Sequence, residues 1–187
     1  MKRNTTKKLV VFVCTGNTCR SPMAEAVFRR RIEEMGLVKL KVSSAGTKAK
    51  RGDLLNEKSA QVLMEKGFPP LIFSAKKVGK RELKQSLAII CMTDMQRDML
   101  MEMRWKALRE DGEEDIENNV FSFSELAGYE VLDPYGKDID CYRYIYELIA
   151  GGMSAIIEKI LPVSVQKKMI EKPKTNKKKS KDKGDNL

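Results

Sequence analysis

The chain has no histidine among its 187 residues. Histidine is the side chain that most often transfers protons near neutral pH. Any acid or base catalysis by this protein must therefore use a carboxylic acid or a cysteine.

Cysteine is also scarce. The four cysteines are Cys14, Cys19, Cys91 and Cys141, and their spacing matches no metal site. We therefore expect no metal and no other cofactor. Cys91 ends an apolar run and is predicted to be a small residue of the core.

Several kinds of segment are missing as well. Residues 1–8 are polar and basic, and the apolar run after them has only the length of a strand, so we expect no secretory signal peptide. No apolar stretch is long enough for stable membrane insertion. There is no internal repeat and no dinucleotide-binding glycine fingerprint. The expectation that follows is a cytoplasmic protein with reduced thiols.

The most informative segment is residues 13–22, Val-Cys-Thr-Gly-Asn-Thr-Cys-Arg-Ser-Pro, which follows the apolar residues 9–12. The apolar run predicts a strand that ends at Cys14, and Pro22 favours the first turn of a helix. A short loop at a helix N-terminus directs backbone N–H groups and the positive end of the helix dipole toward an anion. Residues 14–20, called the Cys14 loop below, are therefore predicted to bind a phosphoryl group.

The residue types within the Cys14 loop suit this chemistry. Gly16 permits a tight turn, and Asn17 tolerates a left-handed backbone conformation. Arg20 offers two parallel donors to two phosphoryl oxygens. The same positive field favours the thiolate of Cys14, which can attack a bound phosphorus atom and form a phosphocysteine. The loop therefore predicts a cysteine-dependent phosphatase.

Three segments resemble the low-molecular-weight protein tyrosine phosphatase family: residues 14–26, residues 43–47 (Ser-Ser-Ala-Gly-Thr) and residues 133–135 (Asp-Pro-Tyr). They occur in the family's order, and the resemblance covers residues 8–162. It implies an α/β fold with three layers, α/β/α, built around a four-stranded parallel sheet. The catalytic residues that it implies are Cys14, Arg20 and Asp133. The substrate-binding residues that it implies are Thr15, Gly16, Asn17, Thr18, Cys19, Ser21 and Tyr135.

Asp133, which precedes Pro134, is the candidate acid. Proline stiffens the loop and restricts the residue before it. The resemblance assigns Asp133 proton transfer to the leaving group and then activation of water. Asp140 is predicted instead to cap the helix that follows it.

A second set of polar residues is expected to support the loop. Asn17, Ser21 and Ser44 resemble a hydrogen-bonded network that holds the family's loop asparagine in a strained conformation. Family members often add a histidine, which this chain lacks, so another polar group or water must complete the network.

Cys14 and Cys19 share the loop and could form a reversible disulfide that protects the nucleophile from over-oxidation.

Thr18 bears on the choice of substrate. Tyrosine-directed members of the family usually have a branched aliphatic residue at this place, whereas a subgroup that removes phosphate from arginine has threonine. A hydroxyl suits a planar, polar phosphoguanidinium better than a larger apolar group does, and Asp133 can pair with such a guanidinium. Residues 131–136, called the Asp133 loop below, also resemble the version found in arginine phosphatases. Tyr135 is at home in tyrosine-directed enzymes too, so phosphotyrosine stays open as an alternative.

Two further alternatives differ in class. Arsenate reductases use the same scaffold but relay a disulfide through additional cysteines, and Cys91 and Cys141 offer no close pair. A phosphate-binding module without activity would need neither Cys14 nor Asp133. Phosphorylated protein substrates are therefore the expected partners, and no oligomeric state is predicted.

The pattern along the chain predicts the architecture independently. Short apolar runs alternate with helical patterns, which favours a parallel sheet with helices on both faces. The expected strands are residues 8–14, 41–43, 87–92 and 120–123, and the expected helices are residues 22–35, 56–66, 81–85, 94–105 and 140–161. Gly151 and Gly152 could kink or split the last helix. The methionines at positions 92, 95, 99, 101 and 103 are expected to fill the core.

Residues 167–187 differ from the rest of the chain. They contain nine lysines, three acidic residues and almost no apolar side chains, so they are predicted to be a disordered tail beyond a phosphatase domain of residues 1–166. The tail could contact a polyanion such as nucleic acid, an anionic membrane surface or an acidic protein. A solubilising tail without a partner is the simpler interpretation.

Overall fold

The computed structural model describes residues 8–37, 39–112 and 118–161. One sheet contains β1 (Leu9–Cys14), β2 (Lys41–Gly46), β3 (Ala88–Cys91) and β4 (Val120–Ser122), in the order β2-β1-β3-β4. Every neighbouring pair of strands is parallel. Because β1 has a partner on each side, the loop after Cys14 emerges from the interior of the carboxyl edge, where open parallel sheets bind their ligands.

Helices cover both faces of this sheet. The described residues form α1 (Arg20–Glu34), α2 (Glu57–Glu65), α3 (Lys80–Gln85), α4 (Asp94–Arg109), α5 (Phe123–Ala127) and α6 (Ile139–Ile160). Successive residues of β1 point to opposite faces, as the two-residue period of a strand requires. Val10 and Phe12 pack in a core with α1 and α6, whereas Val11 and Val13 pack in a second core with α3 and α4. The three-layer α/β/α fold with a four-stranded parallel sheet is confirmed.

The first helix joins the Cys14 loop to the core. The residues predicted to share its apolar face are Ala24, Val27, Phe28 and Ile32, and all four are buried. Phe28 packs edge-on against Phe12, with ring centroids 5.3 Å apart. The end of the loop is therefore fixed by a helix that cannot shift without disturbing this packing.

The second strand is longer than expected, since it continues to Gly46 instead of ending at residue 43. Its register pairs Gly46 with Cys14. The extra residues therefore lie directly beside the start of the Cys14 loop. The expected bounds of the other strands and of α4 also differ from the observed ones, which are the bounds given above.

A short helix, α5, directly follows β4 and was not predicted. The strand expected over residues 120–123 ends at Ser122, because Ser122 and Glu125 form a capping box. The Glu125 N–H donates to Ser122 Oγ at 3.2 Å, and the Ser122 N–H donates to Glu125 Oε2 at 2.8 Å. The Ser-x-x-Glu spacing that signals this helix start is visible in the sequence.

The last helix, α6, is continuous over Ile139–Ile160, so a kink or break at Gly151 and Gly152 does not occur. Gly152 has a packing role instead, because an added Cβ would lie 2.6 Å from a ring carbon of Phe123. The missing side chain lets α5 approach α6 closely.

The expectation that the methionines fill the core is wrong for Met95 and Met99, which are 77% and 37% exposed. Met92 is fully buried, and Met101 and Met103 pack against the second core only in part. The positions that α4 buries are Gln96, Leu100, Arg104, Ala107 and Leu108. This face includes two polar residues, so apolarity alone did not indicate which side of α4 faces inward.

The predicted tail of residues 167–187 and the domain boundary at residue 166 lie outside the described residues. Within the described ranges, no helix combines the length and apolarity that crossing a membrane requires.

Candidate active site

Cys14 ends β1 and is buried at the carboxyl edge of the sheet. The backbone N–H of Asn17 donates a hydrogen bond to Cys14 Sγ at 3.2 Å. Ser21 Oγ lies 3.0 Å from the same sulfur. The Cys14 loop therefore folds back over its first residue and directs a backbone N–H and a hydroxyl at the sulfur.

Asn17 has a φ of 57°, the only positive φ of a non-glycine residue in the described part of the chain. Its amide group donates to Ser44 Oγ at 2.9 Å and to Ser21 Oγ at 3.0 Å. Its side-chain oxygen accepts from the Lys76 N–H at 3.0 Å. The backbone amide of Lys76 thus completes the network that was expected around Asn17, without a histidine. Because Asn17 is fully buried, these bonds stabilise a conformation that is otherwise unfavourable.

Gly16 lies within the Cys14 loop and Gly46 lies beside it. The two glycines differ in the space around them. Gly16 does not have a positive φ, and a Cβ added there would approach Thr18 Oγ1 no closer than 3.4 Å. Gly46, at the end of β2, is far more restricted, because an added Cβ would lie 2.5 Å from the carbonyl oxygen of Thr15. Close approach at Gly46 therefore allows the loop to lie against β2.

Arg20 is the first residue of α1, and it is buried. One terminal nitrogen donates to the carbonyl oxygen of Val131 at 3.0 Å, and the other donates to Asp133 Oδ2 at 2.5 Å. Its Nε is buried without a hydrogen-bond partner among the described residues. The structure therefore brings Arg20 to the Asp133 loop, where both terminal nitrogens of its guanidinium are bonded and Nε is buried without a partner.

The Asp133 loop is held on the opposite side of Cys14 from β2. The Val131 N–H donates to the carbonyl oxygen of Met92, just after β3, at 2.9 Å. The Asp133 side chain is 48% exposed, and its Oδ1 accepts from the Tyr135 N–H at 3.2 Å. Tyr135 itself is 75% exposed. Asp133 and Tyr135 are therefore both accessible to solvent on the Asp133 loop.

The predicted cap of α6 is wrong. Asp138 accepts from the Cys141 N–H at 2.9 Å and is the N-cap. Asp140 lies within the first turn and pairs with Arg143 at 2.7 Å. Both aspartates are typical of a helix start, and only the position of the first turn distinguishes them.

Thr18 and Cys19 lie at the end of the loop, next to α2 and α6. The Asn56 N–H donates to the carbonyl oxygen of Thr18 at 2.9 Å. Thr18 Oγ1 lies 3.7 Å from Cys19 Sγ, which lies 3.8 Å from the hydroxyl of Tyr142. Burial raises the pKa of the Cys19 thiol, and burial also raises the pKa of Tyr142. Both groups are therefore neutral at pH 7.

The sequence analysis missed Gln96 as a neighbour of the site. Gln96 is buried on α4; its Nε2 donates to Thr15 Oγ1 at 3.1 Å, and its Oε1 accepts from the Met92 N–H at 3.1 Å. Thr93 and Gln96 have the spacing of a capping box. The Gln96 backbone N–H does bond to Thr93 Oγ1, at 3.4 Å, but the side chain contacts the Cys14 loop.

The cysteines are unpaired. Cys14, Cys19, Cys91 and Cys141 are all free thiols in this structure. Cys91 is buried in the second core, as predicted, and burial raises its pKa. Within the described residues, no three acidic or cysteine side chains form a candidate metal site. A reversible Cys14–Cys19 disulfide stays a prediction.

A four-stranded parallel sheet with a cysteine and an arginine in one helix-terminal loop defines a class of cysteine-based phosphatases of low molecular weight. Residues 9–169 match the family described as low molecular weight phosphotyrosine protein phosphatase. The chain belongs to this family, and the resemblance found in its sequence is confirmed.

Two curated relatives and one solved structure illustrate the similarity. The low molecular weight protein-tyrosine-phosphatase PtpB of Staphylococcus haemolyticus is 33% identical over 141 residues, which cover 74% of this chain and 89% of the relative. The protein-arginine-phosphatase of Geobacillus stearothermophilus is 30% identical over 151 residues, covering 81% and 95%. The structure of YwlE arginine phosphatase from Geobacillus stearothermophilus aligns with a TM-score of 0.68 at 28% identity, covering 81% of this chain and 92% of that one.

Proposed function

We propose that this enzyme hydrolyses phosphoarginine in proteins, with Cys14 as the nucleophile, Arg20 as a phosphate ligand and Asp133 as the acid and base. The observation that supports the nucleophile is the placement of Cys14 Sγ within 3.2 Å of a backbone N–H and 3.0 Å of a hydroxyl at the start of α1. A helix N-terminus with N–H groups directed into the loop is a site that favours an approaching anion.

In the first step, the Cys14 thiolate attacks phosphorus, and an S–P bond forms as the P–N bond of the substrate breaks. The protonated carboxyl of Asp133 gives its proton to the departing guanidine nitrogen. Arg20 and the backbone N–H groups of the Cys14 loop hold the phosphoryl oxygens, whose negative charge is retained through the step.

In the second step, water attacks the phosphocysteine. The Asp133 carboxylate takes a proton from this water, the S–P bond breaks, and inorganic phosphate leaves with the Cys14 thiolate restored. A similar structure, covering 84% of this chain at 25% identity with a TM-score of 0.72, is described as a cysteine-to-serine mutant of YwlE arginine phosphatase with a phosphorylated active site serine. That description supports a covalent intermediate at the equivalent place in this chain.

The hydroxyl of Thr18 is the main support for phosphoarginine. Among the described residues, Thr18 Oγ1 makes no hydrogen bond to the backbone and lies only near Cys19 Sγ, at 3.7 Å. A merely structural loop threonine would use its hydroxyl to bond the nearby backbone. A hydroxyl whose one contact is the weak acceptor and donor Cys19 Sγ has capacity left to bind a polar substrate group. Asp133 already accepts from one guanidinium, that of Arg20, and this contact supports a similar pairing with a substrate guanidinium.

Phosphotyrosine is the second candidate, because Tyr135 is 75% exposed beside Asp133. An exposed aromatic ring at the entrance can stack on the phenol of a phosphotyrosine. The relatives named above include both tyrosine-directed and arginine-directed phosphatases.

The decisive experiment compares kcat/KM on matched phosphoarginine and phosphotyrosine peptides for the wild type and two variants. Thr18→Ile should lower phosphoarginine turnover and raise phosphotyrosine turnover, because it replaces the hydroxyl with apolar bulk. Thr18→Ser, which keeps the hydroxyl, is the control and should keep the wild-type order of substrates. Parallel changes in both activities of Thr18→Ile would show that Thr18 does not select the substrate.

The nucleophile needs its own test. Cys14→Ser should still bind inorganic phosphate but lose turnover of an aryl phosphate, because a serine hydroxyl is far less ionised than a thiol. Cys141→Ser removes a half-buried thiol on α6 and should keep turnover. Persistent turnover in Cys14→Ser would remove Cys14 from the mechanism.

A further inference from the structure

The surface beside the Cys14 loop on the β2 side is strongly basic. Two segments, residues 46–53 and 75–78, lie side by side here, and the Ala75 N–H donates to the carbonyl oxygen of Asp53 at 2.8 Å. Five solvent-exposed cationic residues on these segments, which we call the basic rim, are Lys48, Lys50, Arg51, Lys76 and Lys77.

Both segments are attached directly to the Cys14 loop. The Lys48 N–H donates to the carbonyl oxygen of Thr15 at 2.9 Å. The Lys76 N–H donates to Asn17 Oδ1 at 3.0 Å. The backbone that carries the basic rim is therefore fixed directly beside the Cys14 loop.

Most of this charge is not neutralised within the described part of the chain. Asp53 is the only acidic residue in the two segments. Lys76 lies 3.7 Å from Glu82, whereas no described carboxylate lies within ion-pair distance of Lys48, Lys50 or Lys77. Like charges that are clustered in this way repel each other, so binding of an anionic group is favoured.

The opposite side of the site has a different character. Leu132 and Tyr135 of the Asp133 loop are 65% and 75% exposed, and the Asp133 carboxylate is half exposed. An extended substrate that crosses the site would therefore meet cations on one side of its phosphorylated residue and apolar surface with a carboxylate on the other. General attraction of anions would act equally on both sides of the phosphorylated residue. This asymmetric surface would instead favour acidic residues on one side only.

We propose that the basic rim binds acidic residues that flank the phosphorylated residue, so that the enzyme prefers protein sites with acidic neighbours on one side. The inference rests on the proposed function only in requiring that the substrate be a phosphorylated protein. Acidic peptide segments fit the rim better than a folded anionic surface does, because the rim lies immediately beside a site that must admit a single side chain.

The test uses the full-length enzyme and phosphopeptides with a pair of glutamates before the phosphorylated residue, after it, or replaced by glutamines. Both a phosphoarginine and a phosphotyrosine series are measured. One of the two acidic peptides should have a kcat/KM about fivefold or more above the neutral peptide at low salt. The ratio should approach one at about 0.5 M salt, where the Debye length is only a few ångströms.

The triple variant Lys48→Gln, Lys50→Gln and Lys77→Gln should lose most of this ratio. The triple variant Lys8→Gln, Lys39→Gln and Lys41→Gln is the matched control, because it removes equal charge from exposed residues at the amino ends of β1 and β2, away from the site. It should keep the ratio. Turnover of an aryl phosphate, measured in parallel, shows whether each variant still has an intact site.

Four results would contradict or separate the two proposals. Equal kcat/KM for acidic and neutral peptides would overturn the proposal, as would equal loss of the ratio in both triple variants. If the rim variant lost binding of an oligonucleotide while acidic and neutral peptides had equal kcat/KM in the wild type, the rim would serve a nucleic acid and the proposal would be wrong. If only the phosphotyrosine peptides were turned over, the proposed phosphoarginine activity would be wrong. The ratio of kcat/KM between acidic and neutral phosphotyrosine peptides would still test the basic rim.

Discussion

The guanidinium of Arg20 donates to the carboxylate of Asp133 at 2.5 Å, although 113 positions separate the two residues in the chain. The proposed phosphate ligand and the proposed acid are thus bonded to each other when no substrate is bound. An incoming phosphoryl group must replace the Asp133 carboxylate at Arg20. Its arrival would then free Asp133 to face the leaving group.

The first prediction concerns this pair. Asp133→Ala should lower kcat by a factor of about 10²–10⁴, the usual contribution of a general acid. It should also bind inorganic phosphate or vanadate more tightly than the wild type, because Arg20 loses its competing anion. Phosphate affinity measured by calorimetry and turnover of an aryl phosphate would check both effects. The control is Asp140→Ala, since Asp140 is exposed and lies on the neighbouring helix. Unchanged phosphate affinity in Asp133→Ala would contradict the idea of competition.

The second prediction compares two glycines. Gly46→Ala should abolish phosphate binding and destabilise the protein by about 1–3 kcal/mol, because its Cβ would overlap backbone atoms of the Cys14 loop. Gly16→Ala should have the smaller effect on both, although Gly16 lies within the motif itself, because its nearest neighbour is 3.4 Å away. Urea unfolding and phosphate titration of the two variants provide the comparison. The opposite order of effects would show that loop curvature at Gly16, and not close approach at Gly46, is limiting.

The third prediction concerns Gln96 and Thr15. Gln96→Ala removes a buried donor from Thr15 and an acceptor from the Met92 N–H, so kcat/KM should fall by a factor of about 5–10, equivalent to one hydrogen bond. Thr15→Val should cause a similar loss. The double variant should be little worse than either single one, because both remove the same contact. Fully additive losses in this cycle would mean that the two residues act independently.

The fourth prediction separates two adjacent glycines of α6. Gly151→Ala should stabilise the protein by about 0.5–1 kcal/mol, because the helix gains a better helix former and the nearest atom to the new Cβ is 3.6 Å away. Gly152→Ala should destabilise it by about 1–3 kcal/mol through overlap with Phe123. Denaturant midpoints give both values. Stabilisation by both substitutions would mean that α5 can move away from α6 at little cost.

The sequence predicted best where the physics is local. Residues 13–22 form a strand end, a loop and a helix start, as their residue types predicted. Asn17 has the left-handed conformation that its side chain tolerates. The parallel sheet was also predictable, because alternation of apolar runs and helical patterns restricts the topology.

The sequence predicted the cap of α6 and the buried face of α4 wrongly, because neighbouring residues suited either role equally well. Asp138 and Asp140 are both good helix caps, and the structure has Asp138 at the N-cap and Asp140 in the first turn. The methionines of α4 were apolar enough to be core residues. The helix turned Gln96 and Arg104 inward instead, because Gln96 finds hydrogen-bond partners at the Cys14 loop.

The sequence by itself determined the Cys14 loop and the class of fold, because these follow from backbone conformation and from the period of apolar residues. Only the tertiary structure decided which distant groups meet that loop: Asp133 at Arg20, Gln96 at Thr15, and the Lys76 backbone at Asn17. Contacts between residues far apart in the chain depend on strand order and helix packing, and no local pattern encodes them.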